Sequence, residues 1–258
     1  MAVITISIVA YNQRGDLERL LPGLMSAAQR VQADVCLVVY RSDDGSREFV
    51  CREFPAVSLI ENRDSAGYGR NHNLNLQRSA GKYFVVMNSD MAVGPDTFAE
   101  LERYMDEHPD VVMVAPRILN SDGSVQELNK RDPTVLDVLQ RLPLPPIVSK
   151  WAKARIDYYE MRDMGYEMEI EAPCLSGCFL FCRREPLERL GGFDENFFLY
   201  FEDNDLCRRM RQIGRIVYNP SVSVTHFWAR RSRKSLRYTW YFAVSAWRYF
   251  NKWGWSLS

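Results

Sequence analysis

The sequence predicts an α/β fold: a mostly parallel sheet flanked by helices on both faces. Three observations predict it. Short runs rich in β-branched residues alternate with segments of helical period through the first half of the chain. Those runs are almost continuously apolar, as strands buried on both faces must be. The 258 residues, 47% hydrophobic and 26% charged, suffice for a sizeable core and exclude a disordered or collagen-like chain.

The elements follow in order. Val3–Ala10 is a near-continuous strand, so the N-terminus reads as a buried element and not as a signal peptide. Asp16–Ala28 repeats Leu17, Leu20, Leu21 and Leu24 at helical spacing. Strands are expected at Asp34–Tyr40, Val57–Ile60, Tyr83–Met87 and Val111–Ala115, with helices at Arg47–Phe54, Gly69–Ser79 and Pro95–Asp106 between them. Ser121–Lys150 is irregular and contains RLPLPPI, whose prolines break any helix, so it reads as a loop or flap. Beyond it come a helix at Trp151–Gly165, a strand at Ala172–Arg183 and helices at Glu185–Leu190 and Asp203–Ile213. The run Ser221–Thr225 then leads to His226, and a helical tail spans Arg233–Trp253.

Charge and cysteines narrow the classes. The chain carries 33 basic and 33 acidic side chains, but Leu206 to the end has eleven Lys or Arg and no acid. An acidic body with a basic, aromatic tail points to a phosphate-bearing partner or an anionic membrane surface. No nucleic-acid recognition module accompanies the charge, so nucleic acid is not expected as a partner. No apolar run is long enough to span a bilayer. The six cysteines form no CxxC pair and lie mostly in apolar runs, which suits free thiols in a reducing, cytoplasmic setting.

Parallel α/β sheets bind ligands beyond the carboxyl ends of their strands, which makes four loops informative. After the fourth strand comes Asn88-Ser89-Asp90, a carboxylate held at a strand tip where a hard cation could bridge a diphosphate; the plainer reading is a turn cap. After the second comes Arg41-Ser42-Asp43-Asp44-Gly45-Ser46, whose acids can accept from a ribose or base edge or simply make an Asx-turn. The third loop, 62–73, opens a helix with two glycines, and Arg70 there could face phosphate. The densest cluster is Gly191–Arg209, in which Glu202, Asp203 and Asp205 open a helix after the aromatic run Phe197-Phe198-Leu199-Tyr200-Phe201. One acid satisfies a helix cap; three beside four aromatics exceed that need. A desolvated carboxylate gains the basicity a general base requires.

In combination these segments resemble the family-2 glycosyltransferases of GT-A type. The shared pattern is SIVAYN, DDGS, N-x-G-x-G-R-N-x-x-L, NSD, SGCFLFCRREPLERLGGFDENFFLYFEDNDLCRR and a later His, over residues 3 to 226. The resemblance implies a GT-A domain over 1–226, with a nucleotide-sugar-binding half to residue 120 and an acceptor-binding, catalytic half after it, and a helical segment at 227–258. It implies inverting transfer of a sugar, L-rhamnose being the leading candidate, from a dTDP- or UDP-linked donor to a saccharide or lipid-linked diphosphate saccharide acceptor. The setting would be bacterial surface polysaccharide synthesis, at the inner face of the cytoplasmic membrane. Asp90 and His226 would hold Mg²⁺ or Mn²⁺; Asn88 replaces the first acid of the metal motif, with Ser89 between. Ala10, Asn12, Arg70 and Asn73 would flank the nucleotide, and Asp43 or Asp44 would bond its base. Asp203 matches the catalytic base, with Glu202 its rival. Asn88 also supports an alternative, a silent sugar-nucleotide-binding scaffold, against which the intact EDND segment argues.

Overall fold

A computed structural model describes residues 3–64, 66–139, 149–227 and 236–257. Among them, nine strands form one sheet in the order β3-β2-β1-β4-β8-β6-β9-β5, with β7 added against β9. The strands are β1 (Ile4–Ala10), β2 (Asp34–Tyr40), β3 (Ser58–Asn62), β4 (Tyr83–Asn88), β5 (Met91–Val93), β6 (Val111–Leu119), β7 (Ile170–Glu171), β8 (Phe179–Arg183) and β9 (Arg215–His226). The first four run parallel; β8 enters antiparallel between β4 and β6, and β6 and β9 are again parallel to each other. One sheet thus runs through both halves of the chain. Its order reverses between β1 and β4, and that reversal opens a crevice at their carboxyl ends.

The helices are α1 (Arg14–Arg30), α2 (Ser46–Glu53), α3 (Tyr68–Arg78), α4 (Thr97–Glu107), α5 (Val135–Leu139), α6 (Ser149–Tyr159), α7 (Arg184–Arg189), α8 (Glu202–Met210) and α9 (Leu236–Trp253). Alternation along β4 shows why two helical layers form. Tyr83, Val85 and Met87 join one core with the leucines of α1 and with Phe98 and Leu101 of α4. Phe84 and Val86 join a second core with Leu206, Cys207 and Met210 of α8. Successive side chains of a strand point to opposite faces, so a strand apolar at every position needs cover on both.

Several expected elements change. Ala172–Arg183 is not one strand: the strand is Phe179–Arg183, and residues 172–178, with Pro173 and Gly177, are irregular apart from one isolated bridge between Cys174 and Lys130. The segment expected as a loop after Ser121 holds the short helix α5, while RLPLPPI lies outside the described residues. The run at Ser221–Thr225 is the end of a twelve-residue strand, β9. Of the tail, Trp228, Arg230, Arg231, Arg233 and Lys234 lie outside the described residues. In α9, Ala246, Tyr249 and Phe250 pack on Phe197 and Phe201 just before α8, so much of its aromatic content is core.

Candidate active site

Register assembles the nucleotide end of the crevice. Ala10 pairs with Val39 and Tyr40 with Asn62, so the tips of β1, β2 and β3 line up. Beyond Ala10 the chain turns through Asn12, at φ 50°, a left-handed conformation that Asn tolerates better than most residues. The Asn12 backbone N–H donates to Ser42 Oγ at 2.9 Å and its Oδ1 accepts from the Asp43 N–H at 3.0 Å, stitching the two loops together. The two neighbouring acids then separate. Asp44 accepts from the Arg14 N–H at 2.8 Å and from the Ser46 hydroxyl at 2.6 Å. Burial alone would raise its carboxyl, but those bonds hold it below the usual value. Asp44 therefore serves the starts of α1 and α2. Asp43 is exposed, in a cleft it shares with Ser42, Arg47 and Glu61.

The tip of β4 carries the second group. Asp90 and His226 are 136 positions apart, yet β5 pairs antiparallel with β9 so that Met91 sits opposite His226. That register places His226 Nε2 at 3.2 Å from Asp90 Oδ1. Gln126 fixes the ring: its amide N–H donates to the His226 carbonyl at 2.9 Å, so its oxygen faces Nδ1 at 3.0 Å and Nδ1 must carry the proton. In neutral imidazole, Nε2 then presents a lone pair to a buried carboxylate oxygen that accepts no hydrogen bond. The Asn88 amide lies 3.5 Å from the same Nε2, and Ser89 is buried with an unpartnered hydroxyl. In that neutral form the two facing lone-pair atoms, one from a carboxylate and one from an imidazole, fit a cation. Among the described residues no cluster of three or more His, Cys, Asp or Glu completes such a site.

The acidic end meets this pair through a short relay. Tyr68 Oη lies 2.8 Å from the Asn88 amide and 2.9 Å from the Gly177 carbonyl, and the Gly177 N–H donates to Asp203 Oδ2 at 3.1 Å. Asp203 Oδ1 also accepts from the Asn204 N–H at 2.9 Å. A Cβ at Gly177 would meet Asp203 Cβ at 3.1 Å, so the close approach favours glycine. Glu202 is buried, with Oε2 unpartnered. Burial, reinforced by the charge of Asp203, pushes its carboxyl up to about 8. Tyr68 is half-buried, and desolvation of its hydroxyl keeps the phenol well above the ordinary value. Tyr200 and Phe201 both adopt positive φ, at 69° and 65°, immediately before these acids. Two consecutive left-handed aromatic residues cost roughly 1–3 kcal/mol each and persist only where packing holds them; here Phe201 stacks among Phe242, Tyr249 and Phe250.

Two residues expected to flank the nucleotide are engaged with the loop before α8. Asn73 is buried, both its amide hydrogens are taken by the Phe193 carbonyl and Glu195, and its oxygen accepts from the Phe193 N–H. It staples α3 to the loop before α8 and keeps no donor for a nucleotide. Arg70 pairs with Glu195 at 3.3 Å on the same loop. Conversely, nothing local in the sequence marks Tyr68, Gln126 or Gly177, which hold the site together from three separate segments.

A crevice at a sheet reversal, an aspartate–histidine pair at one strand tip and two neighbouring acids at a helix start, one buried and one half-exposed, are the arrangement of a GT-A-type protein. The chain belongs to the glycosyltransferase-like family 2, whose model matches residues 2–243. It is 29% identical over 242 residues to the N-acetylglucosaminyl-diphospho-decaprenol L-rhamnosyltransferase of Mycobacterium tuberculosis, covering 87% of this chain and 76% of that one. It is 22% identical to the rhamnosyltransferase WbbL of Escherichia coli, covering 87% of this chain and 83% of that one. Among solved structures it resembles the mannosyltransferase PcManGT of Pyrobaculum calidifontis in complex with GDP-Man and Mn²⁺, with TM-score 0.62 and 21% identity over 95% of this chain; it spans 64% of that protein. GalNAc-T7 with UDP, GalNAc and Mn²⁺ gives TM-score 0.66 at 16% identity, over 98% of this chain and 50% of that one. At these identities the structural likenesses show the fold.

Proposed function

We propose that this protein is an inverting glycosyltransferase that moves a sugar, L-rhamnose first among candidates, from a nucleoside-diphosphate donor to a lipid-linked diphosphate saccharide. The single observation that carries this reading is the relay Asn88–Tyr68–Gly177–Asp203, which joins the Asp90–His226 pair to the acid pair of α8 at one end of the sheet. A diphosphate held at the first and an acceptor hydroxyl offered to the second fall within one crevice. Asp43, exposed beside Asn12, is the acid available to the nucleoside base.

The acid pair divides its work by environment. Glu202, buried and beside another carboxylate, keeps its proton at neutral pH. Asp203 is less buried, each of its oxygens accepts one backbone hydrogen bond, and each retains a lone pair for a proton. Asp203 takes the proton of the acceptor hydroxyl as that oxygen bonds to the anomeric carbon. The bond from that carbon to the diphosphate breaks on the opposite face, and a single displacement inverts the centre. Asp90 and His226 would hold Mg²⁺ or Mn²⁺, which when bound would neutralise charge on the departing diphosphate.

The relatives named for a decaprenol-linked substrate support the lipid-linked acceptor, as does the outward side of α9. Leu236, Trp240 and Trp247 lie on one exposed stripe beside Arg237 and Arg248, a composition suited to an anionic headgroup layer. No described helix is long and apolar enough to cross a membrane.

The test is transfer from dTDP-rhamnose to a polyprenyl-diphosphate N-acetylglucosamine, with and without Mn²⁺. Asp203→Asn is expected to cut turnover by roughly 10²–10⁴-fold with donor binding retained. Undiminished turnover in that variant removes Asp203 from the role, and no transfer by the unaltered protein from a panel of nucleotide sugars removes the enzyme reading.

A further inference from the structure

An asparagine where a metal motif ordinarily carries an acid raises a question of orientation. A carboxylate offers two equivalent oxygens, so either rotamer presents a ligand. An amide offers one oxygen and one NH₂ of nearly the same shape, and its hydrogen-bond partners decide which points where.

At Asn88 those partners are on hand. Tyr68 Oη stands 2.8 Å from the amide terminus placed as Asn88 Oδ1 and 2.9 Å from the Gly177 carbonyl oxygen, two acceptors for one hydroxyl. The phenol has one hydrogen. A peptide carbonyl only accepts, so that hydrogen goes to Gly177, and the amide terminus facing Tyr68 must donate. It is the NH₂. The terminus placed as Nδ2, 3.5 Å from His226 Nε2, is then the oxygen, the amide being turned end for end. Gln126 keeps the proton on Nδ1, so in the neutral imidazole Nε2 carries a lone pair, and Asp90 Oδ1 lies 3.2 Å from it. Three lone-pair atoms therefore converge.

We propose that Tyr68 is a positioning residue: by donating to the Gly177 carbonyl and accepting from the Asn88 amide, it turns the Asn88 oxygen towards Asp90 and His226 as a third cation ligand. The inference rests on the cation reading given above. It explains how the site manages with one carboxylate, and gives a role to the edge-on packing of the Tyr68 ring against His72 at 4.5 Å, which fixes where its hydroxyl falls.

The test is Mn²⁺ binding, followed by the loss of the free-ion electron paramagnetic resonance signal, in a double-mutant cycle. Tyr68→Phe in the native chain is expected to weaken binding by about 10-fold, the usual scale for a partner that orients a ligand. In an Asn88→Asp background the same Tyr68→Phe change is expected to leave binding unaltered, because a carboxylate needs no clamp. Native-like affinity in Tyr68→Phe, or an equal loss in both backgrounds, overturns the proposal while leaving the cation reading standing. Failure of the unaltered protein and of Asn88→Asp alike to bind Mn²⁺ overturns both. A neutron structure of the unaltered protein reads the amide directly: deuterium on the terminus facing Tyr68 is expected, and deuterium on the terminus facing His226 refutes it.

Discussion

Glu202 and Asp203 show how neighbouring side chains of the same chemistry acquire different tasks. Glu202 is sealed beneath the aromatic run with one oxygen unpartnered, whereas Asp203 reaches the crevice and is held by two backbone N–H groups. The sign of the pH effect follows. The Glu202 carboxyl lies near 8 when folded against an ordinary 4.5. Below about pH 4.5 it is protonated in both states and carries no penalty. As pH rises towards 8 the unfolded chain has released a proton that the folded one still holds, so stability falls through that window. Glu202→Gln removes the ionisation. Its melting temperature relative to the unaltered protein is expected to rise between pH 5 and pH 8 and level off above; a difference constant across calorimetric scans at pH 5, 7 and 9 refutes the assignment. Asp43 and Asp44 divide in the same way, because Asp44 spends its oxygens on Arg14 and Ser46.

At the scale of elements, the pairing that matters most is between two helices distant from the nucleotide end. Helix α9 presses Ala246, Tyr249 and Phe250 onto Phe197 and Phe201, and Trp253 Nε1 and Lys252 both reach Asp205, at 2.9 and 2.7 Å. Asp205 is fully buried and also pairs with Arg209 at 2.7 Å. Such a buried carboxylate depends on every partner it has. The left-handed turn at Tyr200 and Phe201 that leads into the acids of α8 is therefore braced from behind by α9. Phe250→Ala is expected to cost about 3 kcal/mol of stability and to lower turnover at temperatures well below the melting point. Denaturant titration beside steady-state rates checks this; lost stability with an unchanged rate separates α9 from the acids.

For the molecule as a whole, α9 presents a different character to each side. Its inner side is core, and its outer side leaves Trp240 and Trp247 67% and 58% exposed. A surface carrying those rings would rest at a headgroup layer and hold the crevice near a lipid-linked acceptor. Flotation with phosphatidylglycerol vesicles checks this. Trp240→Ala with Trp247→Ala is expected to leave the fold intact and to move most of the bound protein to the unbound fraction. Equal flotation of both proteins, or equal flotation on neutral vesicles, refutes an anionic lipid partner for this face.

The order of strands and helices in the first half, the apolar nature of both sheet faces, the NSD tip and the acid-rich start of α8 are all written in local pattern. Each depends on a side-chain period or a turn that needs no distant partner, and the sequence by itself determined them. Where prolines and glycines interrupt the pattern the reading blurred, so residues 172–178 looked like strand and the short strands β5 and β7 left no trace. Only the tertiary structure decided which loops meet. The β5–β9 register that carries His226 to Asp90, the Gln126 amide that sets its tautomer, and the Tyr68 and Gly177 contacts that tie Asn88 to Asp203 all cross large separations in the chain. Pairing at that range is selected by how the whole sheet closes over two cores, and no local period records it.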